Sequence, residues 1–201
     1  VMRAIFGADP RTSGDIYIKG KKVEINKPID AIEKGISLVP EDRKGQGVSL
    51  TMSIRENISL VCLKQICQAG RVNLKKDREW SEKYIKALEI KTPTMEQKVK
   101  NLSGGNQQKV AIAKWLVTNS DIIILDEPTR GIDVGAKYDI YCLINKMVED
   151  GKSVIMISSE MQELLGMSDR IIVMHEGEMM GELKKEDATQ EKILELASGI
   201  R

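Results

Sequence analysis

The sequence predicts an α/β fold, a parallel sheet core interrupted by an inserted block of helices, and three observations carry that reading. The runs "ISLV" at 36–39, "DIIILD" at 121–126 and "SVIMI" at 153–157 are short and continuously aliphatic, as strands buried on both faces are. Through the second half, strand patterns alternate with helix patterns, which a parallel sheet with crossover helices requires. Residues 53–117 have helical spacing without a strand pattern, so they read as a helical lobe inserted into the sheet domain. The expected division is therefore 1–50 and 118–201 for the α/β core and 51–117 for the helical subdomain.

Each element has its own local signal. "VMRAIF" at 1–6 reads as the later part of a helix, with no capping residue ahead of it and Gly7 to end it, so the chain is expected to be a fragment of something longer. "GDIYIKGKKVEI" alternates Ile16, Ile18, Val23 and Ile25 about Lys19-Gly20-Lys21, a hairpin pattern. Pro28 near a first helical position and Gly35 as a stop define a short helix ahead of the strand at 36–39. "PEDRKGQGVSLT" is a polar, glycine-rich loop long enough to be functional. Helices are expected at 53–68 and 76–90, the second with Trp80, Tyr84 and Leu88 on one face.

A third helix begins after Ser103 and runs to about Val117, with Val110, Ala113, Leu116 and Val117 inward and Lys109 and Lys114 outward. Over 134–148 the residues Val134, Tyr138, Tyr141, Ile144 and Val148 keep helical spacing, and Gly151 ends the element. Ser159 with Gln162 makes a capping-box pattern for a short helix. "DRIIVMHEGEMMGEL" reads as two strands about a Glu176-Gly177 turn, and Thr189 caps a last helix through residue 197.

Bulk composition narrows the function classes. The 201 residues are 41% apolar and 30% charged, the profile of a globular chain with a real core. Lys plus Arg number 31 against 30 Asp plus Glu, so the net charge of +1 provides no basic field to recruit nucleic acid. No run approaches the eighteen or so apolar residues that a membrane helix needs. Cys62, Cys67 and Cys142 are odd in number and lack CxxC spacing, which favours reduced thiols over a disulfide framework or a zinc site.

Two stretches carry chemistry. In "ILDEP" the strand ends on Asp126 and Glu127, where a parallel sheet presents its ligand edge. A carboxylate there holds Mg²⁺ through water while its neighbour orients and deprotonates an attacking water; equally, the pair forms a solvated strand cap. In "NLSGGNQQK", Ser103, Gly104 and Gly105 place a hydroxyl and successive backbone N–H groups at a helix N-terminus, an anion site by geometry and dipole. The same residues also suit a plain serine N-cap with glycines easing the turn.

Together, "LSGGNQQKVAIAKWLV" and "DIIILDEPTRGID" resemble the nucleotide-binding cassettes of ABC transporters, P-loop NTPase-like proteins, in the order signature motif, helix, Walker B strand and D-loop. The resemblance covers nearly the whole chain. Asn106 after LSGG, "VPEDRK" at 39–44, "EPTRGIDVGAK" at 127–137, "ISSE" at 157–160 and "DATQEKIL" at 187–194 look like the second, C-terminal cassette of bacterial ribose, galactose and xylose importers, in which two cassettes are fused.

The resemblance implies a site. Leu102, Ser103, Gly104, Gly105 and Asn106 would bind ATP held by the other cassette, Glu127 would be the catalytic base, Asp126 would hold Mg²⁺ through water and Asp133 would belong to the D-loop. Two positions depart from most cassettes: Glu41 stands where the Q-loop glutamine is usual, and Ser159, followed by Glu160, where the switch histidine is usual. The sole histidine, His175, falls in the later hairpin and cannot be that switch. The phosphate loop pattern GxxxxGK[ST] occurs nowhere in the 201 residues.

The chain is therefore expected to lack the N-terminal strands and that loop, to be inactive alone, and either to expose strand edges and associate or to be missing residues that the native chain has. Implied partners are the other cassette, as a fused N-terminal half or a dimer mate, a membrane permease and, indirectly, a periplasmic or lipid-anchored sugar-binding protein, with no nucleic acid. The implied place is the cytoplasmic face of the bacterial membrane. A soluble ABC ATPase and a non-hydrolysing structural cassette remain alternatives.

Overall fold

In the computed structural model, residues 1–68 and 70–199 are described, and they form two compact units, Val1–Ile157 and a second beginning at Ser158. The first unit opens with helix α1 (Met2–Ile5), the hairpin β1 (Ile16–Ile18) and β2 (Lys21–Val23), helix α2 (Pro28–Glu33) and strand β3 (Ile36–Val39). Pro28 opens α2, where its missing N–H costs nothing, and Gly35 follows it at a φ of 78°. A five-residue π turn, Arg43–Gly47, comes next.

Helices α3 (Ile54–Ser59), α4 (Leu63–Ile66), the short strands β4 (Cys67–Gln68) and β5 (Arg71–Val72), α5 (Leu74–Ala87) and α6 (Gly104–Leu116) make up the central stretch. Strand β6 (Ile122–Asp126), helix α7 (Val134–Glu149) and strand β7 (Ser153–Ile157) complete the unit.

The sheet has the order β3-β6-β7, and both pairings are parallel. Strand β6 is central, and Ile123, Ile124 and Leu125 are fully buried, as the unbroken aliphatic run predicts. Phe6, Ile25, Ala31, Ile36, Leu38 and Ile124 form one core on the α1–α2 side, closed by an edge-to-face contact of Phe6 with Trp115 at 5.4 Å.

Several expectations are corrected by the structure. The helix at 53–68 is broken into α3, a 3₁₀ turn at Leu60–Cys62 and α4, and its last two residues turn into the β4–β5 hairpin. Ser59 Oγ bonds back to the Arg55 carbonyl at 3.1 Å, a local competition that bends helices at this kind of residue. Strand β7 is not buried on both faces: Ser153 and Ile155, which alternate along one face, are exposed, and among the described residues β7 pairs with β6 on one edge only.

Helix α7 buries Ile140, Ile144 and Met147, while Val134 and Tyr138 are 84% and 66% exposed. Its inward face is set by contact with β7 and α6, and apolar spacing alone admits either rotation. Lys109 and Lys114 on α6 point inward and are only 5% and 9% exposed. Lys109 Nζ lies 2.9 Å from Asp139 Oδ2 on α7, and Lys114 Nζ donates to the Gly47 carbonyl at 3.0 Å, so each buried ammonium has an acceptor.

The second unit comprises α8 (Met161–Met167), β8 (Arg170–His175), β9 (Glu178–Lys184) and α9 (Gln190–Ala197). Strands β8 and β9 pair about Glu176 and Gly177, at φ 47° and 87°, and Thr189 Oγ1 caps α9 by accepting from Lys192 N. Ser159 does not cap α8, as its spacing suggested: Glu160 occupies that position with no side-chain cap bond, and Ser158 Oγ accepts from Glu160 N at 3.0 Å and bonds Glu163 Oε2 at 2.7 Å. Ile171, Val173 and Ile193 form this unit's own core.

All three cysteines are free thiols. Burial, then the nearby Asp77 charge, pushes the Cys62 thiol up to about 11, whereas Cys142 is exposed. Iodoacetamide at pH 8 is therefore expected to alkylate Cys142 in the native protein and Cys62 only after denaturation, as read by peptide mass spectrometry.

Candidate functional site

The carboxylate pair is placed by the sheet. Central position carries β6 to its carboxyl end at Asp126, and the backbone then turns at Glu127, whose φ of 47° is unusual for a non-glycine residue. Glu127 N donates to the Ile157 carbonyl at 2.9 Å, and Arg130 N donates to the Glu127 carbonyl at 3.2 Å, so the strained turn is held from both sides. Burial, then the Glu127 charge beside it, raises the Asp126 carboxyl above its ordinary value.

Asp126 lines a cavity of about 230 Å³ together with Arg3, Glu41, Asp42 and Gln46. Glu41 and Asp126, far apart in sequence, thus share one cavity. Glu41 also forms an ion pair with Arg130, which ties the loop after β3 to the segment after β6.

Of the three carboxylates that line this cavity, Glu41 and Asp42 are exposed, and Asp126 is the one that burial has left less hydrated. Among the described residues no three His, Cys, Asp or Glu side chains converge as a ready metal cage. Mg²⁺ takes one or two carboxylates and fills its shell with water and substrate phosphate, a demand that the Asp126 carboxylate fits without such a cage.

The second cluster is built from two helix starts. Ser103 is the N-cap of α6, and its Oγ accepts from Asn106 Nδ2 at 2.9 Å, which leaves the hydroxyl proton for another acceptor. Asn106 Oδ1 in turn accepts from Lys91 N at 2.8 Å. Leu102 is buried, and Gln107 Nε2 donates to the carbonyls of Val99 and Leu102 at 3.2 Å each, fixing the approach to the cap. Asp133 is the N-cap of α7, its Oδ1 accepting from Ala136 N at 2.9 Å.

The two starts lie side by side. A Cβ on Gly105 would stand 2.5 Å from Ala136 Cβ, so only glycine permits this approach of α6 to α7. A Cβ on Gly104 would stand 3.4 Å from both the Gly131 carbonyl oxygen and Arg43 Nη2. Leu102 to Asn106 and Asp133 are thereby neighbours. Ser159, within the second unit, is exposed just ahead of α8.

Sequence reasoning missed Arg43 and Arg130. Both lie in polar loops, and the only available signal was that each sits within a motif quoted for other residues.

Residues 1–130 match the ABC transporter family. The chain belongs to the ABC transporter family. This ABC cassette is 52% identical over its full length to the ribose import ATP-binding protein RbsA of Bacillus licheniformis. Over 98% of its length it is 55% identical to the xylose import ATP-binding protein XylG of Thermoanaerobacter pseudethanolicus. It spans 41% and 39% of those two relatives' own lengths.

Among solved structures, the dimeric post-hydrolysis ATP-binding cassette MJ0796 bound to ADP and Pi superposes with a TM-score of 0.75 at 26% identity, covering 92% of this chain and 78% of that one. The ADP conformation of the ABC transporter cassette MJ1267 superposes with a TM-score of 0.77 at 22% identity, covering 98% and 82%, and shows the shared α/β fold. Among the described residues of this cassette, no helix is long and apolar enough to cross a membrane.

Proposed function

We propose that this chain is the ATP-binding part of a sugar importer and stands in the place of the second, C-terminal cassette of a fused pair. The observation that carries the reading is the packed pair of helix starts at Ser103 and Asp133, in a chain more than half identical to ribose and xylose import ATP-binding proteins. In this reading ATP lies between the phosphate loop and Walker B strand of one cassette and the signature of the other. Leu102 to Asn106 serve ATP held by the partner: the N-terminus of α6 supplies backbone N–H groups and the positive end of its dipole, and Ser103 adds its hydroxyl proton.

The site built on this half is the poorer one. Glu127 orients and deprotonates the attacking water, Asp126 holds Mg²⁺ through water, and Asp133 fixes the D-loop by capping α7. Bound Mg²⁺ supplies charge neutralisation at the phosphates. Glu41 takes the Q-loop position and Ser159 the switch position. A hydroxyl cannot titrate as an imidazole does, and a carboxylate near the γ-phosphate repels it. The helical subdomain at 51–117 and the loop at 40–50 pass closure to a membrane permease fed by a periplasmic or lipid-anchored sugar-binding protein, on the cytoplasmic face of the membrane.

Most of the grip on ATP phosphates comes from a phosphate loop, and GxxxxGK[ST] is absent from these 201 residues. Calorimetry of this chain alone is expected to show no tight ATP binding and no hydrolysis; a dissociation constant in the micromolar range would sink that expectation. The function itself is tested in proteoliposomes holding the complete two-cassette protein, its permease and its binding protein. ATP-driven accumulation of a pentose or hexose is the expected result, and failure to accumulate any such sugar would overturn the assignment.

A further inference from the structure

The π turn at Arg43–Gly47 is fastened to the signature helix, and Arg43 itself has no role above. Asp42 Oδ1 caps the turn by accepting from Gly45 N at 2.9 Å, and a Cβ on Gly47 would stand 3.7 Å from Ala111 Cβ on α6. Lys114 adds its bond to the Gly47 carbonyl. Held this way, Arg43 reaches the first turns of α6, where Nη1 donates to Gln108 Oε1 at 3.4 Å. Its Nη2 and the Gly131 carbonyl oxygen converge on the space that a side chain on Gly104 would fill. Two residues earlier the Glu41–Arg130 ion pair ties the same loop to the residue preceding Gly131.

We propose that Arg43 is a positioning residue for the signature, a wedge between the first turns of α6 and the Gly131–Asp133 turn that sets the spacing of Ser103–Gly105 from the start of α7. The inference rests on reading Ser103–Gly105 as a phosphate-binding signature. Arginine suits the task because its planar fork spans two groups at once and is weakly hydrated, so it tolerates partial burial that a lysine ammonium resists. Its Nε is buried with no hydrogen-bond partner, so the guanidinium is held here by packing and not by a full set of bonds. Burial also lowers the Arg43 pKa from its ordinary value, and the guanidinium keeps its charge. Gly104 and Gly105 then have distinct reasons to lack side chains: the first makes room for Arg43 Nη2 and Gly131 O, the second for Ala136.

The test uses the complete two-cassette protein assembled with its permease. Arg43→Ala is expected to lower kcat for ATP hydrolysis between about tenfold and a hundredfold, the scale of a small misplacement of a site, with KM for ATP nearly unchanged. Arg43→Lys should recover part of kcat, and both variants should melt within a few degrees of the unmodified protein. An unchanged kcat in Arg43→Ala overturns the proposal. So does a raised KM at constant kcat, which would make Arg43 a phosphate ligand, or a loss that follows unfolding and is not rescued by lysine. Gly104→Asp separates the two layers: if it leaves turnover intact, the signature reading fails and takes the Arg43 role with it. If it abolishes turnover while Arg43→Ala does not alter kcat, only the Arg43 role fails.

Discussion

Asp77→Ala is expected to destabilise the fold by about 3–5 kcal/mol, the cost of breaking a buried ion pair from one side. Asp77 on α5 is 1% exposed and pairs with Arg55 on α3, whose Nε and Nη2 also reach Glu96 at 2.8 and 3.2 Å. Hydrogen bonds that Arg55 donates to Glu96 first, then to Asp77, raise its pKa against the opposing effect of burial. The guanidinium therefore stays charged, and without Asp77 it keeps only the half-exposed Glu96. Asp77 Oδ1 has no partner, so the pair is already imperfectly satisfied, and Arg55→Met with Asp77→Leu should be close to neutral where either truncation alone is costly.

Urea denaturation reads this directly: the midpoint falls at an unchanged slope. A loss under about 1 kcal/mol for Asp77→Ala would show the pair to be incidental. The same network has an acid signature. The Arg55 hydrogen bond holds the Glu96 carboxyl below its ordinary range, so its stabilisation is complete above that range and disappears as pH falls through the lowered value.

What the sequence could express was local and periodic. Strand β6 was legible because Ile122 to Leu125 admit no other reading, and the hairpin at 170–184 because Glu176-Gly177 takes the left-handed conformations that a tight turn demands. The inward lysines of α6 were not legible. Lys109 and Lys114 are buried only because Asp139 and the Gly47 carbonyl, 30 and 67 residues away, meet them in space. The face of α7 failed for the same reason: Val134 and Tyr138 have the right spacing and no cover. At the site, the motifs at 103–106 and 126–133 were readable singly. Their contact through Gly104, Gly105, Gly131 and Ala136 was not, since a glycine's reason for being small lies in whatever occupies its missing side chain.

The proposed asymmetry of the two ATP sites predicts opposite outcomes for two single substitutions in the complete transporter. Gly104→Asp places a carboxylate at the N-terminus of α6, where it opposes phosphate and competes for Arg43. If, as proposed, this signature serves the competent site on the other cassette, total ATP turnover is expected to fall by about 10²–10³, the scale seen when preorganised donors to a phosphate or oxyanion are lost. Glu127→Gln keeps the shape of the side chain at its φ of 47° and removes only the base, so the poorer site stops while the competent one continues. Most of the turnover should survive it. Steady-state phosphate release distinguishes the cases: equal, deep losses from both substitutions would mean the two sites are equivalent. Turnover undiminished by Gly104→Asp would mean that Ser103 to Gly105 cap a helix and nothing more. The two residues sit on different elements, Gly104 at the start of α6 and Glu127 just past the end of β6, and under the proposed asymmetry they would act on different nucleotides although one chain carries both.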